Sequence, residues 1–168
     1  GVDWNVNRPK DEWTRLSTLV RAIADLPGDF RIRLSSIEAT ELTRELIGVL
    51  AEYEGRICPH LHVCLQSGSD GVLRRMRRRW GTRMFVDRCQ MLKESLDRPA
   101  ITTDIIVGFP GETEQEFEET CETSRRVGFS KIHIFPFSAR RGTPAFDMED
   151  QLPKAVKSER GRALAAIE

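Results

Sequence analysis

Polar side chains recur at every second residue in three stretches of this 168-residue sequence that otherwise read as buried strand. Arg31, Arg33 and Ser35 alternate with Phe30, Ile32 and Leu34. His60, His62 and Gln66 alternate with Leu61, Val63 and Leu65, and Lys131 and His133 with Ile132 and Ile134. A fourth stretch, 101–107, is weaker, because Asp104 shares its parity with Ile106. Successive strand side chains point to opposite faces, and parallel strands buried on both faces normally carry continuous apolar runs. One face here must therefore meet something polar or wet. Each unpaired polar group left in a dry core would cost about 1–3 kcal/mol. A cavity holding ligand and substrate removes that cost. So does a sheet with helices on one side and water on the other, and alternation alone does not separate the two.

The ends of these stretches sharpen the choice. Ligands of α/β sheets and barrels sit at the carboxyl ends of the strands. Those ends read Ser35-Ser36-Ile37-Glu38, Gln66-Ser67-Gly68-Ser69, Val107-Gly108-Phe109-Pro110-Gly111-Glu112 and Phe137-Ser138-Ala139-Arg140. Gly108 allows close approach of a flat ring or a backbone, and Pro110-Gly111 suits a type II turn. Ser67, Gly68 and Ser69 can offer amides at a helix start to a carboxylate or phosphate. Ordinary βα turns favour the same residues, but four polar ends in one chain point to a site.

Other reactive residues say less. Cys58, Cys64, Cys89 and Cys121 follow no secreted disulfide spacing, and the sequence contains no C-x-x-C, C-x3-C-x2-C or H-x-x-x-H. A reduced, cytoplasmic setting is the simpler reading, with Cys64, Cys89 and Cys121 as core residues. His60 and His62 read as partnered structural histidines rather than ligands. The 26 Lys and Arg balance 26 Asp and Glu, so net charge predicts no nucleic-acid or membrane partner. The one basic cluster is Arg74, Arg75, Arg77, Arg78 and Arg79; it is either a solvated helix face or a phosphate-contacting patch. Trp80 beside it packs at a helix end or stacks on a base.

These residues are positioned by alternating helices and strands. A helix runs through Trp13, Leu16, Leu19, Val20, Ile23 and Leu26 to Pro27-Gly28, and a strand follows over 30–35. Thr40 caps a second helix ending at Gly55. A strand over 60–66, a basic helix over 70–79 and a helix from Thr82 come next. The strand over 101–107 leads to a helix opened by a Thr113/Glu116 capping box and closed at Gly128. A last strand over 131–135 precedes a helix starting at Pro153. Such alternation predicts βαβ units and a parallel sheet with right-handed crossovers. No 18-residue apolar run and no signal peptide are present; the missing initiator Met suggests a chain cut from something longer.

Five blocks, in order, resemble one family: 31–38 (RIRLSSIE), 58–62 (CPHLH), 66–70 (QSGSD), 103–113 (TDIIVGFPGET) and 141–145 (RGTPA). They are similar to the radical S-adenosylmethionine tRNA methylthiotransferases, and the Ser-Ser-Ile-Glu block most resembles the branch acting on threonylcarbamoyladenosine. The resemblance implies an α/β chain whose parallel sheet forms the later part of an open, partial TIM-like (βα)6 radical SAM barrel. That barrel domain would occupy residues 1–168, without the cluster-binding N-terminal part or the C-terminal RNA-binding domain. It further implies S-adenosyl-L-methionine as cofactor and two [4Fe–4S] clusters in the full-length enzyme, none bound by this chain. An electron donor and a tRNA substrate, methylthiolated on a hypermodified adenosine next to the anticodon, complete the picture. Gln66 and Ser67 then map to contacts with the ribose and amino-acid moieties of the cofactor. Val107, Gly108 and Glu112 map to adenine support, and Ser35, Ser36, Glu38, Asp104, Ser138 and Arg140 to further cavity contacts. Glu38 could equally cap its following helix, and Asp104 could pair with Arg33.

The sequence departs from the family in lacking the three-cysteine motif, so by itself it is expected to be inactive. Two other readings remain open at this stage: an iron-free small α/β barrel enzyme, and a non-catalytic RNA-binding module resting on the arginine cluster. An open barrel piece is also expected to self-associate through exposed sheet edges.

Overall fold

A computed structural model describes Pro9 and residues 14–167. The chain start at Gly1-Val2 and Trp13, assigned above to the first helix, lie outside the described residues. Helix α1 spans Leu16–Ala24 and α2 spans Arg44–Glu52. Strand β1 (His60–His62) leads through α3 (Asp70–Arg75) and α4 (Thr82–Ser95) to β2 (Ala100–Val107). Then come α5 (Glu114–Val127), β3 (Lys131–Pro136), a 3-10 turn at Pro144–Phe146 and α6 (Lys154–Ala165).

The three strands form a parallel sheet in the order β1-β2-β3. Leu61, Ile101, Ile105 and Ile132 are buried on one side of it, in a core shared with Leu46 and Leu50 of α2, Phe85 and Leu92 of α4, Phe117 of α5 and Leu164 of α6. This is the apolar parity read from the sequence, and helices cover it.

Local signals govern the helix ends. Thr113 accepts the Glu116 amide while the Glu116 carboxylate accepts the Thr113 amide at 2.9 Å, and Gly128 closes α5 at φ 62°. The second helix corrects the reading of Thr40, which lies in a turn; the cap is Thr43, whose Oγ1 accepts the Leu46 amide at 3.1 Å. The expected strand over 30–35 is also absent as a regular element. Among the described residues, two isolated parallel bridges tie this stretch and the residues just after it to the chain around β1, Ile32 to Ile57 and Ile37 to Val63. His60, whose amide would continue this ladder, instead turns it back to Cys58 O at 2.7 Å, and the register offset moves from 25 (57 − 32) to 26 (63 − 37) across that point.

Candidate functional site

The pairing register brings the polar parities together. Thr102 lies between His62 on β1 and Lys131 on β3, and Asp104 beside His133. His62 Nε2 is 3.3 Å from Asp104 Oδ1, and its Nδ1 is 2.9 Å from Thr102 Oγ1. Thr102 Oγ1 also meets His60 Nε2 at 3.4 Å. The rings of His62 and His133 stand 5.6 Å apart. Burial, followed by the charges of Arg33 and His62, holds His60 below the usual imidazole range. Asp104 therefore pairs with His62, where sequence reasoning offered Arg33. The polar sides of the strands converge on a common, half-buried surface, with His62 and Asp104 half-buried and Arg33, Ser35 and His133 exposed.

Cys64 belongs to this surface too. It is half-buried, its Sγ lies 4.0 Å from Asp104 Oδ2, and burial, with the Asp104 charge second, raises its thiol pKa. The core role expected for it is thus corrected, while Cys89 and Cys121 are buried as expected. The missed signal was parity, since Cys64 falls on the same alternation as His62 and Gln66.

A bulge ends β1. His62 pairs with Thr102, an offset of 40 (102 − 62), whereas Gln66 bridges Ile105, an offset of 39 (105 − 66). One extra residue is thus accommodated between them, and Gln66 adopts φ 70°. That conformation is uncommon outside glycine and costs of order 1–3 kcal/mol. The buried hydroxyl of Thr103 makes the bulge tenable by accepting the Leu65 amide at 2.9 Å. The Gln66 main chain keeps both ladder bonds, donating to Asp104 O at 2.8 Å and accepting from the Ile106 amide at 2.9 Å. Sequence reasoning had singled out Gln66 but not Thr102 or Thr103.

The turn after Gln66 serves the fold. Ser67 Oγ contacts Thr120 Oγ1 at 3.2 Å, the Gly68 amide donates to Thr120 Oγ1 at 3.0 Å, and the Ser69 amide donates to Ser67 Oγ at 3.2 Å. A Cβ on Gly68 would stand 2.5 Å from the Thr120 Cα. The glycine is required because this turn presses on α5, and the Gly68 and Ser69 amides expected to greet an anion are already bonded and buried.

The second glycine turn is similarly engaged. Glu112 donates its amide to Phe109 O at 2.9 Å with Gly111 at φ 71°, as a type II turn requires. Its buried carboxylate accepts the Gly108 amide and Arg160 Nη1, both at 2.7 Å. Burial nonetheless raises the Glu112 pKa above the usual carboxylate range. A Cβ on Gly108 would meet Lys157 Cγ at 2.4 Å, so α6 already covers this glycine. The Val107 side chain is buried in the core. Ser36, Glu38, Ser138 and Arg140 are exposed, and Glu38 does not cap α2.

The basic cluster divides in two. Arg75 makes a bidentate pair with Glu116 at 2.9 and 2.7 Å, and Arg78 lies 5.4 Å over the ring of Trp80, which is buried rather than free to stack. Arg74, Arg77 and Arg79 are exposed. Arg77 takes φ 56° at the end of α3, where the Arg78 amide reaches Leu73 O and the Arg77 amide reaches Arg74 O, a helix-closing pattern usually made by glycine.

A parallel sheet with helices over its apolar face, and polar groups gathered on the other face below a bulged strand end, has the arrangement of a (βα)-barrel segment. The chain belongs to the radical SAM superfamily, whose pattern it matches over residues 6–123. It is 51% identical to the threonylcarbamoyladenosine tRNA methylthiotransferase MtaB of Bacillus subtilis, covering 82% of this chain and 30% of that protein. Identity to the MtaB of Thermotoga maritima is 45%, over 90% of this chain and 35% of the relative. A tRNA-2-methylthio-N(6)-dimethylallyladenosine synthase of Rhodococcus jostii is 41% identical over 96% of this chain and 32% of its own length. The resemblance read from the five blocks is borne out. Among solved structures, coproporphyrinogen III oxidase (HemN) from Escherichia coli, a radical SAM enzyme, superposes with a TM-score of 0.69 at 15% identity, over 90% of this chain and 35% of that one. That likeness supports the barrel fold expected from the sequence. The chain spans about a third of the length of the relatives it matches.

The cysteines present do not fit an iron–sulfur cluster. Cys89 sits inside α4, its thiol pushed up to about 12 by burial, and Cys121 inside α5 is raised for the same reason. The half-buried polar face does suit a polar small molecule such as S-adenosyl-L-methionine. Among the described residues, no helix is long and apolar enough to cross a membrane.

Proposed function

We propose that this chain is the cofactor-facing part of a radical S-adenosylmethionine enzyme that methylthiolates a threonylcarbamoyl-type adenosine beside the tRNA anticodon, in the cytoplasm. The bulge at Gln66 carries this reading. Strained backbone persists where surrounding structure over-determines it, and such strain concentrates at ligand sites. Here it falls at the strand end where barrel enzymes bind their ligands.

Gln66 and Ser67 address the ribose and amino-acid end of S-adenosyl-L-methionine, Ser67 through its backbone, since its hydroxyl is engaged with Thr120. Ser35, Ser36, Glu38 and Asp104 line the same face. Val107 and Gly108 offer backbone to the adenine, and Glu112 contributes by holding the Gly108 amide. Ser138 and Arg140, exposed after β3, approach the nucleoside. Arg74, Arg77 and Arg79 meet tRNA phosphates, whereas Arg75 and Arg78 hold the helix in place. The two [4Fe–4S] clusters and the electron donor that this activity needs come from outside the 168 residues. The cluster supplies reductive cleavage of the sulfonium when bound; this chain orients the cofactor and excludes side reactions.

Deleting the gene in its source organism should remove the methylthio mass increment from threonylcarbamoyladenosine in digested tRNA, read by mass spectrometry. An unchanged nucleoside profile would refute the activity. In a complemented strain, Gln66→Ala should leave the protein abundant but lower the modified fraction; full modification would dismiss Gln66 as a cofactor contact.

A further inference from the structure

His62, Cys64 and Asp104 hold potential metal-ligating atoms that all lie within 4.8 Å of one another. Zinc takes imidazole nitrogen, thiolate sulfur and carboxylate oxygen at about 2.0–2.3 Å in tetrahedral array, which sets its donors roughly 3.3–3.8 Å apart. His62 Nε2 lies at that spacing from Asp104 Oδ1, at 3.3 Å, while Cys64 Sγ lies 4.0 Å from the other oxygen, Oδ2, so a small side-chain rotation brings the set to it. We propose that His62 Nε2, Cys64 Sγ and an Asp104 oxygen form a binding site for one zinc-like divalent ion, its fourth position open to the polar face. The site shares Asp104 with the residues proposed to line the S-adenosyl-L-methionine face, but its ligand set and its test do not rest on that reading.

Three features support it beyond proximity. Thr102 Oγ1 lies 2.9 Å from His62 Nδ1 and can accept a hydrogen bond from its N–H, which leaves the lone pair on Nε2, the nitrogen 3.3 Å from Asp104, free for a metal. Second-shell bonds of this kind fix the tautomer of metal-binding histidines. A neutral imidazole, a thiolate and a carboxylate also sum to two negative charges, so a divalent ion makes the half-buried site neutral and lowers its desolvation cost. Finally, His133, its ring 5.6 Å from that of His62, can supply a fourth ligand or leave the position to water. Both side chains of the His62–Asp104 pair are largely shielded, at 14% and 29% exposure.

Binding must displace the Cys64 proton, which burial and Asp104 hold on the thiol, so affinity should rise with pH. The purified chain, reduced and freed of metal, would be titrated with Zn2+ against a chromogenic chelator. We expect one ion per chain, a loss of about tenfold or more in affinity for Cys64→Ser and for Asp104→Asn, and no loss for Cys58→Ser or Gln66→Ala. Substituting Co2+ should give a thiolate charge-transfer band that Cys64→Ser abolishes. Should a variant fold poorly by circular dichroism, the unmodified chain still decides the matter: Zn2+ should slow alkylation of Cys64, mapped by mass spectrometry, and leave Cys58 unaffected. Absence of stoichiometric binding, retention of affinity in both ligand variants, or equal protection of Cys58 overturns the proposal.

Discussion

At the scale of single residues, the site depends on an interaction no motif advertises. The bulge before Gln66 deprives Leu65 of a ladder partner, and the Thr103 hydroxyl supplies one in a position of zero solvent exposure. Thr103→Val keeps the shape and removes the acceptor, so a buried amide is left unpaired at about 1–3 kcal/mol. Urea unfolding should report that loss, and Thr103→Ser should recover most of it; a valine variant as stable as the parent would mean the bulge needs no such support. The sequence made Gln66 conspicuous because it closes an alternating run. It could not reveal Thr103, whose role exists only once two strands some forty positions apart are paired with a one-residue slip. Gly68 was misread for a related reason. A glycine demanded by a ligand and one demanded by a neighbouring helix look identical in sequence, and only the 2.5 Å approach to Thr120 separates them.

At the scale of elements, charged side chains couple one unit to the next. Arg160 of α6 reaches Glu112 at 2.7 Å and Glu114 at 3.1 Å, fixing the last helix over the β2–α5 turn. Glu116 closes its own capping box and also binds Arg75 of α3, whose guanidinium in turn donates to Gly111 O at 3.2 Å. The Arg75 hydrogen bonds are the largest reason that Glu116 titrates below the usual carboxylate range, with the Thr113 amide adding to them. A carboxylate lowered in the folded state stabilises above its unfolded value, near about 4.3, and loses that contribution as pH falls through the folded value. Glu116→Gln keeps a capping side chain but removes the charge. Because Arg75 is about a third exposed, the expected cost at neutral pH is only about 1 kcal/mol. Denaturant midpoints of parent and variant should therefore differ at pH 7 and converge below about pH 4. A gap that persists in acid would assign the loss to geometry rather than charge. The capping box and the Gly128 stop were legible because each is written within a few residues. The failed strand over 30–35 was not, since its interruption lies on a different segment, where the His60 amide turns back to Cys58 O.

At the scale of the whole molecule, the sheet has unequal edges. The side beyond β1 is bordered by the segment bridged at Ile32 and Ile37, while β3, at the other end of the strand order, pairs only with β2 among the described residues. Phe135 on β3 is 50% exposed. An edge strand with an exposed aromatic is a template for pairing with another chain, and natural sheets blunt such edges with charge. The relatives are about three times as long, so residues outside this sequence can cover the edge in a complete barrel. The chain alone should then associate with rising concentration, seen by sedimentation velocity as a shift to larger species. Phe135→Lys should weaken that association without changing far-ultraviolet circular dichroism, because the side chain contributes little to the core. A chain that stays monomeric up to its solubility limit would show that the β3 edge is already protected by its own twist and flanking polar groups.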